Sequence, residues 1–272
     1  MFFNEILNNM LKEQSNIVNK MYLHELKLKW DIFQKLADND DFGNNEKIIE
    51  SLNIFRKALT NKKYRYNKST RNGFKEDSVI FSAKYLDDVL NLFIHRHNIL
   101  LKKGILWDYN QFSTNIKFKP KNLLNIDNYP MLQFGNSAEV LQLSQNIDLQ
   151  YRNSGKRVFN KYNLTLPLLI FHTALSIGNE FLYDIEQNAK LAKATFEKVK
   201  IIVVTESIEK DFQPLKKNSL IDAIFILQKE FKTNKFVELK LDVFNLVENK
   251  IVEYIKEKKT DIELCVSKGF ME

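Results

Sequence analysis

Pro167-Leu168-Leu169-Ile170-Phe171-His172-Thr173-Ala174-Leu175-Ser176 reads as a buried strand running towards a helix. Ten residues with no Lys, Arg, Asp or Glu are too apolar for a solvated surface segment. Downstream, Ile177 to Lys198 has helical periodicity. Lys200-Ile201-Ile202-Val203-Val204-Thr205 is nearly continuous in apolar residues, as expected of a strand covered on both faces. Strand, helix, then buried strand in this order belongs to a mixed α/β core.

Outward from this centre the pattern stays mixed. Ile116-Lys117-Phe118-Lys119 alternates and is stopped by Pro120. Gln145 to Tyr151 alternates too, with Ile147, Leu149 and Tyr151 on one face. Leu164 to Thr173 completes the strand above, and Ile221 to Leu227 is a further candidate. Ser82 to Leu101 reads as one helix. On it His95 and His97 stand two apart and face different ways, which suits surface or packing roles better than a metal pair. Residues 239–257 predict an amphipathic helix, and Asp261 to Val266 a short last strand.

Residues 1–60 are helical in pattern. Phe3, Ile6, Leu7, Met10 and Leu11 recur at three-to-four spacing, and Ile17, Met21, Leu23, Leu26, Trp30, Ile32, Phe33 and Leu36 continue the stripe. Asp38 to Asn45 reads as a turn, followed by a helix at about 46–60. The expected organisation is a helical N-terminal region with a basic loop, 1–77, and a core, 78–272. The fold class expected is α/β, of the mixed α+β kind, with a central mixed sheet flanked by helices.

Charge narrows the function. The 272 residues hold 41 Lys and Arg against 34 Asp and Glu, a formal net charge of +7. That excess fits a polyanionic partner, although an AT-rich genome inflates Lys without any such role. Lys62-Lys63-Tyr64-Arg65-Tyr66 leads into Lys68, Arg71 and Lys75 with no intervening acid. These residues are candidate DNA contacts, the cations for phosphates and the rings for stacking. Only 7 Gly and 4 Pro occur, which argues against a Gly-rich nucleotide loop and long flexible linkers. Cys265 is the single cysteine, so neither an internal disulfide nor a zinc knuckle is expected, in keeping with a cytoplasmic location. No signal peptide or membrane span is expected from the hydropathy pattern.

Five segments resemble type II restriction endonucleases of the BbvCI kind, in the PD-(D/E)xK superfamily. They are Lys84 to Leu90, Asn146 to Leu149, Leu166 to Leu169 with Thr173 to Leu175, Ile202 to Glu206, and Ile221 to Leu227. The resemblance implies a restriction-endonuclease-like core, double-stranded DNA as partner, a homodimer or a heterodimer with a related subunit, and Mg²⁺ in an active enzyme. It places the first catalytic and metal-binding acid at Asp148. Where the family writes Glu-x-Lys-Thr-x-Leu-Asp, this chain has Ile170 and His172 in place of the Glu and Lys. Ile170 cannot ligate a metal, and His172 lacks the permanent charge of a lysine. The implied protein is a catalytically degenerate relative or one subunit of a two-chain enzyme.

A second pattern competes. Asp222 precedes Glu238-Leu239-Lys240, and alternation through Phe236 to Leu241 would put Glu238 and Lys240 on one face of a strand. Such a set could hold Mg²⁺ in an active endonuclease. Glu25-Leu26-Lys27 matches the same pattern within a helix, and the 236–241 segment also reads as a helix start. A third reading is a helical interaction protein with no DNA role, its N-terminal stripe docking a partner.

Overall fold

A computed structural model describes residues 2–38, 45–61, 78–96, 105–118, 132–152, 159–213, 215, 218–233 and 235–268. Three helices come first: α1 (Phe2–Glu13), α2 (Ile17–Asp38) and α3 (Asn45–Leu59). Asn16 starts α2, its Oδ1 accepting the Asn19 N–H at 3.1 Å and capping the first turn. A 3-10 turn at Val79–Phe81 leads into α4 (Lys84–Arg96). The strands β1 (Ile105–Asn110), β2 (Ser113–Phe118), β3 (Leu132–Asn136), β4 (Val140–Arg152) and β5 (Phe159–Ile177) follow. The chain then runs through α5 (Asn179–Thr195), β6 (Lys200–Ile208), β7 (Ala223–Ile226) and α6 (Leu241–Lys268).

The described strands make a mixed sheet in the order β1-β4-β5-β6-β7 and a separate β2-β3 ribbon. β1, β4 and β5 are antiparallel neighbours, whereas β5, β6 and β7 run parallel. α5 is the crossover that joins parallel β5 and β6. Pro167 is accommodated because β5 pairs with β6 only from Leu169 onward, and the β4 pairing shifts register beside it at Leu143/Ser144. The missing N–H therefore falls at an irregularity with one free edge.

Each face of the sheet has its own core. One cluster joins Leu141, Leu143, Leu169, Phe171, Ile202 and Val204 to α1–α4 and α6. Within it Phe3, Trp30 and Phe55 pack with ring centroids 5.0–5.6 Å apart. The other cluster joins Ile170, Ala174, Ile177, Ile201 and Val203 to Leu182, Ile185, Ala189 and Ala192 of α5. β6 is buried along nearly its whole length, as its composition predicts. The boundary expected near 60–77 lies outside the described residues; the helices before it and the sheet after it share the first cluster.

Three expectations change. The strand at Asp261–Val266 is instead the last part of α6, since no Gly or Pro interrupts the chain from Leu241 to Lys268 and the helix propagates. Residues 236–240 form no strand: they run irregularly into α6, with Leu239 buried and Glu238 and Lys240 exposed. On α2, Leu23, Leu26, Trp30 and Phe33 are buried, but Ile17, Met21 and Ile32 face outward. A stripe read along a sequence cannot say which side of a helix finds a neighbour.

Candidate functional site

Alternation along β5 splits the central stretch between the two cores. Ile170, His172 and Ala174 point to the α5 side, and Phe171 and Thr173 to the α4 side. His172 stands in register with Val203 of β6. Burial lowers its pKa from 6.5 to about 4, so the imidazole is neutral near pH 7. Its Nε2 is buried without a hydrogen-bond partner among the described residues. Gln142, in register with Ile170 and fully buried, likewise leaves both amide atoms unpartnered there. A neutral, largely buried imidazole carries no permanent positive charge.

On the opposite face a polar cluster forms that the sequence reading did not assemble. Thr173 Oγ1 donates to Asp87 Oδ1 at 2.6 Å. Lys84 Nζ lies 3.5 Å from Asp87 Oδ2, one helical turn away on α4. The same ammonium donates to the Tyr109 hydroxyl of β1 at 2.9 Å and sits 4.4 Å from that ring's centroid. Burial raises the Asp87 pKa, opposed by the Thr173 bond and by Lys84. For Lys84 burial acts downward, but Tyr109 and Asp87 outweigh it and its pKa stays raised. The signal was present in the sequence as Lys84, Asp87 and Asp88, three charged residues within five positions of an otherwise apolar helix.

A second buried network lies on the same side of the sheet. The Glu206 carboxylate of β6 accepts from Arg56 of α3 through two guanidinium nitrogens, Nε at 2.9 Å and the other closer. It also accepts from the Tyr85 hydroxyl, and from Gln228 Nε2 at 2.8 Å. Arg56 spends a further nitrogen on the Val237 carbonyl at 3.0 Å and Asn53 Oδ1 at 3.1 Å. With its oxygens occupied by these donors, Glu206 ties α3 to β6.

The structure does not bring the candidate residues together. Asp148 is exposed on β4 and pairs with Asn163. His172 lies nine positions further along β5, which at about 3.3 Å per residue is roughly 30 Å away. Asp222 accepts the Ile201 N–H at 2.9 Å and pairs with Lys193 at 3.0 Å and Lys200 at 3.3 Å. Lys240 is held by its N–H on the Leu227 carbonyl, at the far end of β7 from Asp222. Glu25 and Lys27 of α2 are engaged with Lys29 and Asp31. The candidate DNA contacts Lys62, Lys63, Tyr64, Arg65, Tyr66, Lys68, Arg71 and Lys75 lie outside the described residues, as does His97; the His95 side chain is also outside them.

A Mg²⁺ ion needs several oxygen donors converging on one point. Among the described residues no three His, Cys, Asp or Glu side chains converge so. Asp87 faces an ammonium and a hydroxyl rather than a second carboxylate. These residues do not fit the metal that nuclease chemistry requires.

A helix, an antiparallel meander and a parallel crossover, packed under helices on both faces, form a restriction-endonuclease-like fold. The same fold is found in a chain of the native BbvCI A2B2 tetramer. The two superpose with a TM-score of 0.62 over 93% of this chain and 95% of that one, at 12% identity. Likeness at this identity speaks for architecture. No protein-family model and no curated protein sequence matches the chain. Among the described residues no helix is long and apolar enough to cross a membrane.

Proposed function

We propose that this chain is a DNA-binding subunit of a restriction-endonuclease-type assembly whose own catalytic strand has lost its chemistry. One observation carries the reading. β5 runs through the middle of a restriction-endonuclease-like sheet, yet from Pro167 to Ile177 it holds no carboxylate and no lysine on either face. Activating water against a phosphodiester needs metal-holding acids, and Thr173 and the neutral His172 do not provide them. The net charge of +7 supports a duplex partner. The scattered placement of Asp222, Glu238 and Lys240 favours this reading over an endonuclease built on those three.

An apolar row on α2 supports a subunit role. Ile17, Met21, Leu28 and Ile32 are each more than half exposed, on the side away from the buried Trp30 and Phe33. The partner is a second copy or a related chain, and in this reading the cutting site belongs to the related chain.

The test is purified chain with supercoiled plasmid and Mg²⁺, beside a duplex-binding titration at several salt concentrations. Intact plasmid with steeply salt-dependent binding is expected. Nicked or linear product that chelation abolishes would overturn the degenerate reading. Weak binding insensitive to salt would overturn the DNA role.

A further inference from the structure

Between α1 and the first turns of α2 lies an open hollow of about 510 Å³, lined by Asn8, Leu11, Lys12, Lys20 and His24. Its construction is regular. Asn8 and Lys12 stand one turn apart on α1, Lys20 and His24 one turn apart on α2, and the largely buried Leu11 side chain also lines it. No acid lines it.

Three lysines of these helices, Lys12, Lys20 and Lys35, have no carboxylate within ion-pair distance among the described residues, and of the three Lys12 and Lys20 line the hollow. Lys27 is engaged by Asp31 and Asn4, and Lys29 by Glu25. Lys12 and Lys20 are both exposed. Two unneutralised ammonium groups, an imidazole and an amide around one depression make a set of donors for a tetrahedral oxyanion.

We propose that this hollow receives a backbone phosphate of bound duplex DNA, so that the helical layer itself grips the polyanion. The assignment rests on the DNA-binding reading above and adds a contact outside both the sheet and the 62–75 stretch. A phosphodiester suits an open hollow better than a free ion does. Its charge arrives tethered to a polymer, and neighbouring phosphates gain from the same positive field.

The experiment compares the full chain with Lys12→Gln/Lys20→Gln, Lys12→Arg/Lys20→Arg and the distant control Lys210→Gln. Each is titrated with a duplex of fixed sequence across a series of salt concentrations. Thermal midpoints check that the exposed substitutions leave the fold intact. The slope of log K against log salt should fall by about 0.9 in the glutamine pair, the value for one neutralised phosphate. The arginine pair and the control should keep the parent slope. A steep parent slope that the glutamine pair leaves unchanged overturns the hollow while sparing the DNA reading. A parent that does not bind duplex overturns both. Inorganic phosphate alone is the second probe. If it shifts the His24 ring resonances while the glutamine pair leaves DNA binding untouched, the site takes a small anion and the backbone assignment falls. An acidic peptide that binds through Lys12 and Lys20 more tightly than duplex does would overturn it in favour of a protein partner.

Discussion

Thr173 of the central strand donates to Asp87 of α4 across 2.6 Å, and this bond connects residues 86 positions apart in the chain. It occupies the α4 face of β5, one residue from His172, which points to the other face. Asp87 is largely desolvated there, with Thr173 and Lys84 as its compensating partners. Thr173→Val should therefore cost about 1.5–3 kcal/mol, the usual range for a hydrogen bond to a charged group. Urea unfolding checks it; a loss below 0.5 kcal/mol, on the order of an ordinary surface change, would show that the bond does not hold α4 to the sheet.

The raised Asp87 pKa fixes a sign. Between the ordinary value of 3.8 and its raised value, the folded protein binds the proton more tightly than the unfolded chain does. This residue's contribution to stability thus falls as pH rises through that window. Asp87→Asn should flatten that part of the pH–stability curve, measured by denaturation at a series of pH values.

His172 acts in the opposite direction. Its pKa is about 4 folded against 6.5 ordinarily, so the unfolded chain binds the proton first as pH falls. Stability is full above 6.5 and declines between 6.5 and about 4, by up to about 3 kcal/mol. His172→Leu should remove most of that decline. An imidazole resonance titrating near 6.5 in the folded protein would contradict the burial argument.

Arg56 and Glu206 are a buried ion pair whose halves depend on each other. Arg56→Met leaves the carboxylate with Tyr85 and Gln228 only, and should cost about 3–5 kcal/mol. Arg56→Met/Glu206→Leu should recover much of that loss, because removing both charges also removes their desolvation. Thermal unfolding of the single and double variants completes the cycle. A double variant as unstable as the single would mean that packing, not charge, dominates.

Asp222 and Glu238 should behave differently although both belonged to one candidate catalytic set. Asp222→Ala removes acceptors for Lys193, Lys200 and the Ile201 N–H, and should cost about 1–3 kcal/mol. Glu238 is exposed, and Glu238→Ala should stay within about 0.5 kcal/mol of the parent. Comparable losses at both positions would show that the two side chains share a site after all.

Much of the architecture was legible in the chain itself. The unbroken apolar run at Ile201–Val204 reads as a strand covered on both faces, and β6 is buried in that way. That residues 167–177 hold no acid and no lysine needs no coordinates, because a side chain that is absent cannot be supplied by folding. Period and residue type are local properties, and the sequence states them directly. What tertiary structure alone decided is which polar groups meet. Asp148 alternates correctly for a site residue, but the β4–β5 register sets it opposite Asn163, far along the sheet from His172. Arg56 reads as a cation on an amphipathic helix until packing buries it against Glu206, 150 positions later. Register and helix docking are set by the summed contacts of many distant side chains, and no window of sequence contains that sum.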